Sequence, residues 1–141
     1  MPSDYPYTHP ITVRFADTDT EGHVYSGSYF VYCDEALMGL LAAAGYSWQT
    51  LANHGLAVYY AEATCQYKHP ARFGDRLLVQ TVIEKVGDTS VRSRMRIVAK
   101  DTDVLISNGY IAAVMVDKAT ELPVSIPDNI KQAVRKFQLT D

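Results

Sequence analysis

The chain has 141 residues, 48% of them apolar, and its 13 Lys and Arg against 16 Asp and Glu give a formal charge of −3. That length suits one domain, residues 1–141, with a real hydrophobic core. A mildly acidic balance without any Lys/Arg cluster interleaved with aromatics excludes a generally basic nucleic-acid binder.

The start, Met-Pro-Ser-Asp-Tyr-Pro-Tyr, shows neither the basic nor the apolar region of a secretory signal. No apolar run approaches the roughly 20 residues needed to span a bilayer. A cytoplasmic protein without a membrane span is expected. Cys33 and Cys65 sit in apolar surroundings and read as buried free thiols. His9, His23, His54 and His69 show no metal-ligand spacing, so no metal is expected.

Taken in order, residues 7–15 alternate as a strand, Ile11, Val13 and Phe15 against Thr12 and Arg14. A turn carrying Asp17, Asp19 and Glu21 follows, then Gly22 and His23. Ser28 suits an N-cap, and Tyr29 to Ala44 reads as a helix apolar nearly all round, one that other elements must surround. Gly45 supplies a left-handed stop, and Ser47 caps a short helix, Trp48 to Asn53.

From residue 56 the period becomes two. The odd positions Ala57, Tyr59, Ala61, Ala63, Cys65 and Tyr67 form the apolar set of a strand over 56–69. Further strands are expected over 76–86, 90–99 and 104–117, with turns at Gly87-Asp88 and Asp101-Thr102-Asp103. The last is apolar on both faces, so both should be covered. An amphipathic helix from Pro127 to about Phe137 closes the chain. One thoroughly apolar helix followed by consecutive antiparallel strands makes an α+β fold, most economically a sheet wrapped around the helix.

An acidic turn that empties into a helix start places carboxylates beside backbone N–H groups lacking intrahelical acceptors. Such a junction can polarise a carbonyl and present a nucleophile or base beside it.

Asp17-Thr18-Asp19-Thr20-Glu21-Gly22-His23-Val24-Tyr25, with Tyr29 beyond, resembles the D-x-D-x-x-G-[HVI]-V-[YWN]-x-x-x-Y signature of hotdog-fold acyl-CoA thioesterases, of the 4-hydroxybenzoyl-CoA thioesterase-like branch. Tyr67-Lys68-His69-Pro70-Ala71-Arg72-Phe73-Gly74-Asp75 resembles the family's Y-x-x-P-A-R-[YF]-G-D. Weaker echoes are Gly45-Tyr46-Ser47 and Leu122-Pro123 with Ile126-Pro127. The likeness spans roughly residues 8–135 and implies a hotdog fold, an antiparallel sheet around one long helix.

By this resemblance the second Asp of the first block, Asp19, is the catalytic carboxylate, attacking the thioester carbonyl or activating a water for that attack. The key oxyanion donor is the amide of Ser26, next to Tyr25. Ser26 departs from relatives that carry His or Asn there. Asp17 reads as structural, bonding loop amides. His23 is a loop-stabilising imidazole with an active-site role open, and Glu35 could reach the site from the helix. Arg72 orients the Pro70–Asp75 turn beside the coenzyme, and Tyr59 and Tyr60 are candidate pocket walls. Lys85, Arg92, Arg94 and Arg96 are weak candidates for the coenzyme phosphates.

The resemblance implies hydrolysis of acyl-CoA to free acid and CoA by a homodimer or dimer of dimers, with the site between subunits and no cofactor beyond the substrate's own CoA. A hotdog dehydratase or hydratase on acyl thioesters, and a non-catalytic acyl-CoA-binding module, are the alternatives.

Overall fold

A computed structural model describes residues 4–139. The elements, in chain order, are β1 (Tyr7–Thr12), α1 (Ser28–Ala43), α2 (Trp48–Asn53), β2 (Leu56–Ala63), β3 (Gln66–Tyr67), β4 (Arg76–Val86), β5 (Ser90–Ala99), β6 (Leu105–Asp117) and α3 (Asp128–Arg135). All strands join one antiparallel sheet in the order β1-β4-β5-β6-β2, with β3 also paired to β6. Its concave face holds α1: Tyr29, Tyr32, Ala36 and Leu37 pack against Leu77, Val79, Met95, Ile97, Ile111 and Ala113. This is the wrapped sheet of the hotdog arrangement.

The period-two pattern explains why β4, β5 and β6 present one apolar face to the helix. Leu77 and Val79 pair with Ala99 and Ile97, and Ser93 pairs with Ile111, so inward residues stay in register across the three strands. Facing outward along β5 are Arg92, Arg94 and Arg96. Arg92 and Arg94 share Glu84, and Arg92 also lies 3.6 Å over the Tyr110 ring. Arg96 bonds Gln80 and stacks over Tyr5.

Five sequence-based expectations need correction. The first strand stops at Thr12, and Phe15–Asp17 form a 3₁₀ turn instead. The cause is local: the Asp17 carboxylate accepts from the Arg14 amide and guanidinium, which tightens the chain and leaves Phe15 76% exposed. Ser28 is the first residue of α1 rather than its cap; Gly27 holds the cap position, and the Ser28 hydroxyl donates to the Asp17 carbonyl instead. Nor is α1 surrounded: Phe30 and Val31 are exposed.

The expected strand over 56–69 is two strands, β2 and β3, separated by a break, with an irregularity between Tyr60 and Glu62. A one-residue slip exchanges the two faces of a strand. Before the slip, Val58 pairs with Met115 and joins the core, while Tyr59 pairs with Val114 on the outer face. After it Ala63 pairs with Ile111 and Tyr67 with Ser107, so the odd positions point inward only there. The outer face of β6 is covered at its C-terminal end, where Val116 is buried and bridged to Pro123, but carries Asn108 and Tyr110 further back.

The break has a steric anchor at Gly109. A Cβ there would lie 1.9 Å from the Thr64 carbonyl oxygen, because the chain between β2 and β3 crosses directly over β6. Gly109→Ala should therefore destabilise the fold by about 2–3 kcal/mol, as overpacking against backbone does. A urea melt superimposable on the wild-type curve would contradict that close crossing.

Candidate active site

The acidic turn folds as a small hairpin. Thr18 and Val24 form a bridge, the Asp19 amide donates to the His23 carbonyl at 3.0 Å, and Gly22 donates back to the Asp19 carbonyl at 3.0 Å. Gly22 takes a φ of +82°, a left-handed conformation that suits glycine and closes the turn. The hairpin is seated by Asp17, which is buried at 6% exposure. Its carboxylate accepts from the Arg14 amide (3.0 Å), the Arg14 guanidinium (3.0 Å) and the Tyr32 hydroxyl (2.8 Å). Its backbone carbonyl takes the Tyr25 amide at 2.9 Å and the Ser28 hydroxyl at 3.1 Å.

Burial alone would push the Asp17 carboxyl up. The bonds from Arg14 and Tyr32 outweigh that and hold it below the usual carboxylate range. Tyr32, buried against the same carboxylate, is pushed up. Asp17 therefore has a structural position, as its sequence context indicates, although its partners are a guanidinium and a phenol as well as an amide.

Asp19 is half-buried on the other side of the hairpin. One carboxylate oxygen accepts the Glu21 amide at 2.9 Å; the other makes no bond among the described residues. Asp19 lines a cleft of about 440 Å³ together with His23, Val24, Tyr25, Ser26, Tyr29 and the segment Tyr67 to Pro70. Among the described residues, the Ser26 and Gly27 amides at the start of α1 have no intramolecular acceptor. The Tyr25 ring lies against Gly27, where a Cβ would approach Tyr25 Cε2 to 2.6 Å. Asp19 and Ser26, whose unoccupied amide lies just before α1, thus line one cleft, an arrangement able to bind and polarise a carbonyl.

The opposite wall, Tyr67 to Arg72, is tied to the hairpin at several points. The Tyr67 hydroxyl donates to the Ser26 carbonyl at 2.9 Å, the Val24 amide to the Ala71 carbonyl at 2.7 Å, and the Ala71 amide to the Tyr29 hydroxyl at 3.2 Å. His23 and Arg72 form a bridge. The two sequence blocks therefore meet in space, through backbone and phenol contacts.

Asp19, His23, Tyr25 and Ser26 all line the cleft. Tyr60 and Arg72 do not. Tyr60 is on β2, where its hydroxyl donates to Asp34 at 2.5 Å, and the Arg72 amide caps the Asp75 carboxylate at 2.9 Å while its side chain is exposed. Glu35 is exposed and absent from the lining, as are Lys85, Arg92, Arg94 and Arg96. Sequence reasoning missed Tyr67, Lys68 and His69 as cleft residues, although the second block contains all three. Their signal was the position just before Pro70, where the sequence reading placed the end of a strand over 56–69. Among the described residues no group of His, Cys, Asp or Glu side chains is arranged to hold a metal ion.

A family model for the thioesterase-like superfamily matches residues 13–134. The chain belongs to the thioesterase-like superfamily. An Escherichia coli relative, the acyl-CoA thioester hydrolase YbgC, is 31% identical over 121 residues, covering 86% of this chain and 90% of its own. A 1,4-dihydroxy-2-naphthoyl-CoA hydrolase of Nostoc punctiforme is 26% identical over 127 residues, covering 89% of this chain and 84% of its own. Among solved structures, the gentisyl-coenzyme A thioesterase BH1999 superimposes with a TM-score of 0.82 at 26% identity, over 90% of this chain and 98% of its own. Like these thioesterases, the chain has the hotdog fold. Among the described residues, no helix is long and apolar enough to cross a membrane.

The depressed Asp17 carboxyl predicts a pH dependence of stability. A carboxyl whose pKa is lower in the folded state contributes stability that is fully present above its unfolded value, near 3.9, and is lost as pH falls through the folded value. Asp17→Asn should cost about 1–3 kcal/mol at pH 7, because it breaks the ionic bonds to Arg14. The gap to wild type should shrink as acid titrates the wild-type carboxyl. Thermal melts from pH 7 to pH 2 read this directly, and a gap independent of pH would contradict the assigned role.

Proposed function

We propose that this protein is a cytoplasmic acyl-CoA thioesterase that works as a homo-oligomer. It hydrolyses R-CO-S-CoA to the free acid and CoA, with no cofactor beyond the CoA its substrate carries. The observation that carries the reading is the meeting of a carboxylate, Asp19, and the Ser26 amide, acceptor-free among the described residues, on one cleft. Membership of the thioesterase-like superfamily and the names of its relatives support the same chemistry.

In this reading the thioester carbonyl oxygen is received by the amides at the start of α1, and the carbonyl carbon faces Asp19. Asp19 acts either as the nucleophile or as the base that takes a proton from water. In both routes the new C–O bond forms as negative charge builds on the carbonyl oxygen, where the amides and the helix dipole stabilise it. Collapse breaks the C–S bond and the thiolate leaves, to be protonated by solvent. If Asp19 attacks directly, water then opens the mixed anhydride and regenerates the carboxylate. Thiolate is a good leaving group, so no strong general acid is required at sulfur. Tyr25, packed on Gly27, shapes the amide end, and His23 borders the Asp19 side.

A homodimer is supported by the outer edge of β2, which pairs with no strand among the described residues, and by the exposed apolar side chains near it. Phe30, Val31, Tyr59 and Tyr60 are all exposed in a single chain. Pairing two such edges would remove strand groups and apolar surface from water together.

Asp19→Asn should lower thiol release from acyl-CoA by at least about 100-fold, the lower end of acid–base contributions. Its melting point and sedimentation should stay unchanged, since among the described residues only the Glu21 amide bonds that side chain. A thiol-release assay over aromatic, short and long acyl-CoAs tests the reading. Equal turnover by both proteins would remove Asp19 from the mechanism, and no turnover by wild type would remove the activity itself.

A further inference from the structure

Among the described residues the cleft carries one carboxylate, Asp19, yet the substrate class proposed above carries phosphates, and the chain as a whole is acidic at −3. An anionic ligand brought beside a carboxylate needs a counter-charge close by. Among the described residues only one ammonium or guanidinium lines this cleft, that of Lys68; His69 beside it adds an imidazole. The arginines of β5 are already engaged with Glu84, Gln80, Tyr110 and Tyr5, and none of them borders the cleft.

Lys68 and His69 are held in place by backbone alone. Both amides donate to the Ile106 carbonyl, at 2.8 and 3.1 Å. Tyr67 before them is tied to Ser26, and Ala71 after them to Val24 and Tyr29. The segment is therefore fixed at both ends against the catalytic hairpin, while both side chains are exposed. Lys68 has no ion-pair partner among the described residues. A rigid backbone presenting an unpaired ammonium into a cleft that also holds a carboxylate is suited to recognise an anion and to orient it away from that carboxylate.

We propose that Lys68, assisted by His69, is the anion-recognising residue of this cleft, selecting substrates with an anionic oxygen at the rim opposite Asp19. This rests on the thioesterase reading and deepens it. The anionic oxygen belongs either to a phosphate of the coenzyme or to an acidic substituent on the acyl group. Lys68 acts on binding and takes no part in bond making, so its loss moves KM and leaves kcat nearly unchanged.

The test compares wild type with Lys68→Ala, Lys68→Glu and Lys68→Arg on three thioesters. These are a neutral acyl group on CoA, the same acyl group on uncharged N-acetylcysteamine, and a carboxylate-bearing acyl group on N-acetylcysteamine. Lys68→Glu should raise KM by about tenfold or more where the anion is present, Lys68→Ala by less, and Lys68→Arg should restore it. The wild-type KM should also rise with salt more steeply than that of Lys68→Ala.

An effect confined to the CoA thioester assigns the contact to the coenzyme phosphates. An effect on the acidic acyl group without CoA assigns it to the acyl end. Equal effects on the neutral N-acetylcysteamine thioester, or none on any substrate, overturn the proposal. If wild type releases no thiol from any thioester, the hydrolase reading falls separately. Calorimetry with the same acyl-CoA then decides Lys68 alone: weaker binding by Lys68→Glu keeps it, and equal affinity overturns it.

Discussion

The organisation of this molecule depends on a single buried carboxylate. Asp17 gathers the Arg14 amide, the Arg14 guanidinium and the Tyr32 hydroxyl on its side chain, while its carbonyl receives Tyr25 and Ser28. Those bonds connect three things that sequence separates: the end of β1, the acidic hairpin and the first two turns of α1. Once they are joined, Asp19 lies on the hairpin and lines one cleft with Tyr25 and Ser26, just before α1. A carboxylate buried to this degree is tolerated because each of its oxygens is paired, and an unpaired one would cost several kcal/mol. The first Asp of the motif thus positions the second.

The sheet contributes a different constraint. Its inward face is filled by one helix, so the N-terminus of α1 must emerge at a fixed place, beside the chain that runs from β3 into β4. That chain supplies Tyr67, whose hydroxyl reaches back to Ser26, and Ala71, which exchanges bonds with Val24 and Tyr29. The two walls of the cleft are consequently rigid relative to each other without any covalent cross-link. Cys33 and Cys65 remain free, and burial pushes the Cys33 thiol up to about 12, so it behaves as core packing rather than as a nucleophile.

Much of this was legible in the chain itself. The ranges of β4, β5 and α2 follow from alternation and from capping: Ser47 accepts the Thr50 amide, and Gly45 and Gly55 adopt positive φ. Those signals are local, governed by neighbours within a few residues, and so a sequence displays them. A structural task for Asp17 could also be read, but not its partners: its carboxylate takes Arg14 and Tyr32, and it is Asp19 that accepts an amide of the turn that follows.

What tertiary structure decided were the features set by contacts between distant segments. Alternation over 56–69 reads as one strand, yet the crossing of Thr64 over Gly109 breaks it and a slip near Glu62 exchanges its faces. Tyr60 meets Asp34 rather than the cleft, and Lys68 and His69 enter the cleft although alternation places them at the end of an ordinary strand. The exposed side of α1 was equally hidden, because an apolar helix surface looks the same in sequence whether its own sheet or another surface covers it. Sequence by itself determined which elements form and which block holds the acids, since those depend on backbone propensity and spacing. Only folding decided which side chains share a cleft, because that depends on strand register and on hydrogen bonds between residues some forty positions apart, such as Tyr67 with Ser26.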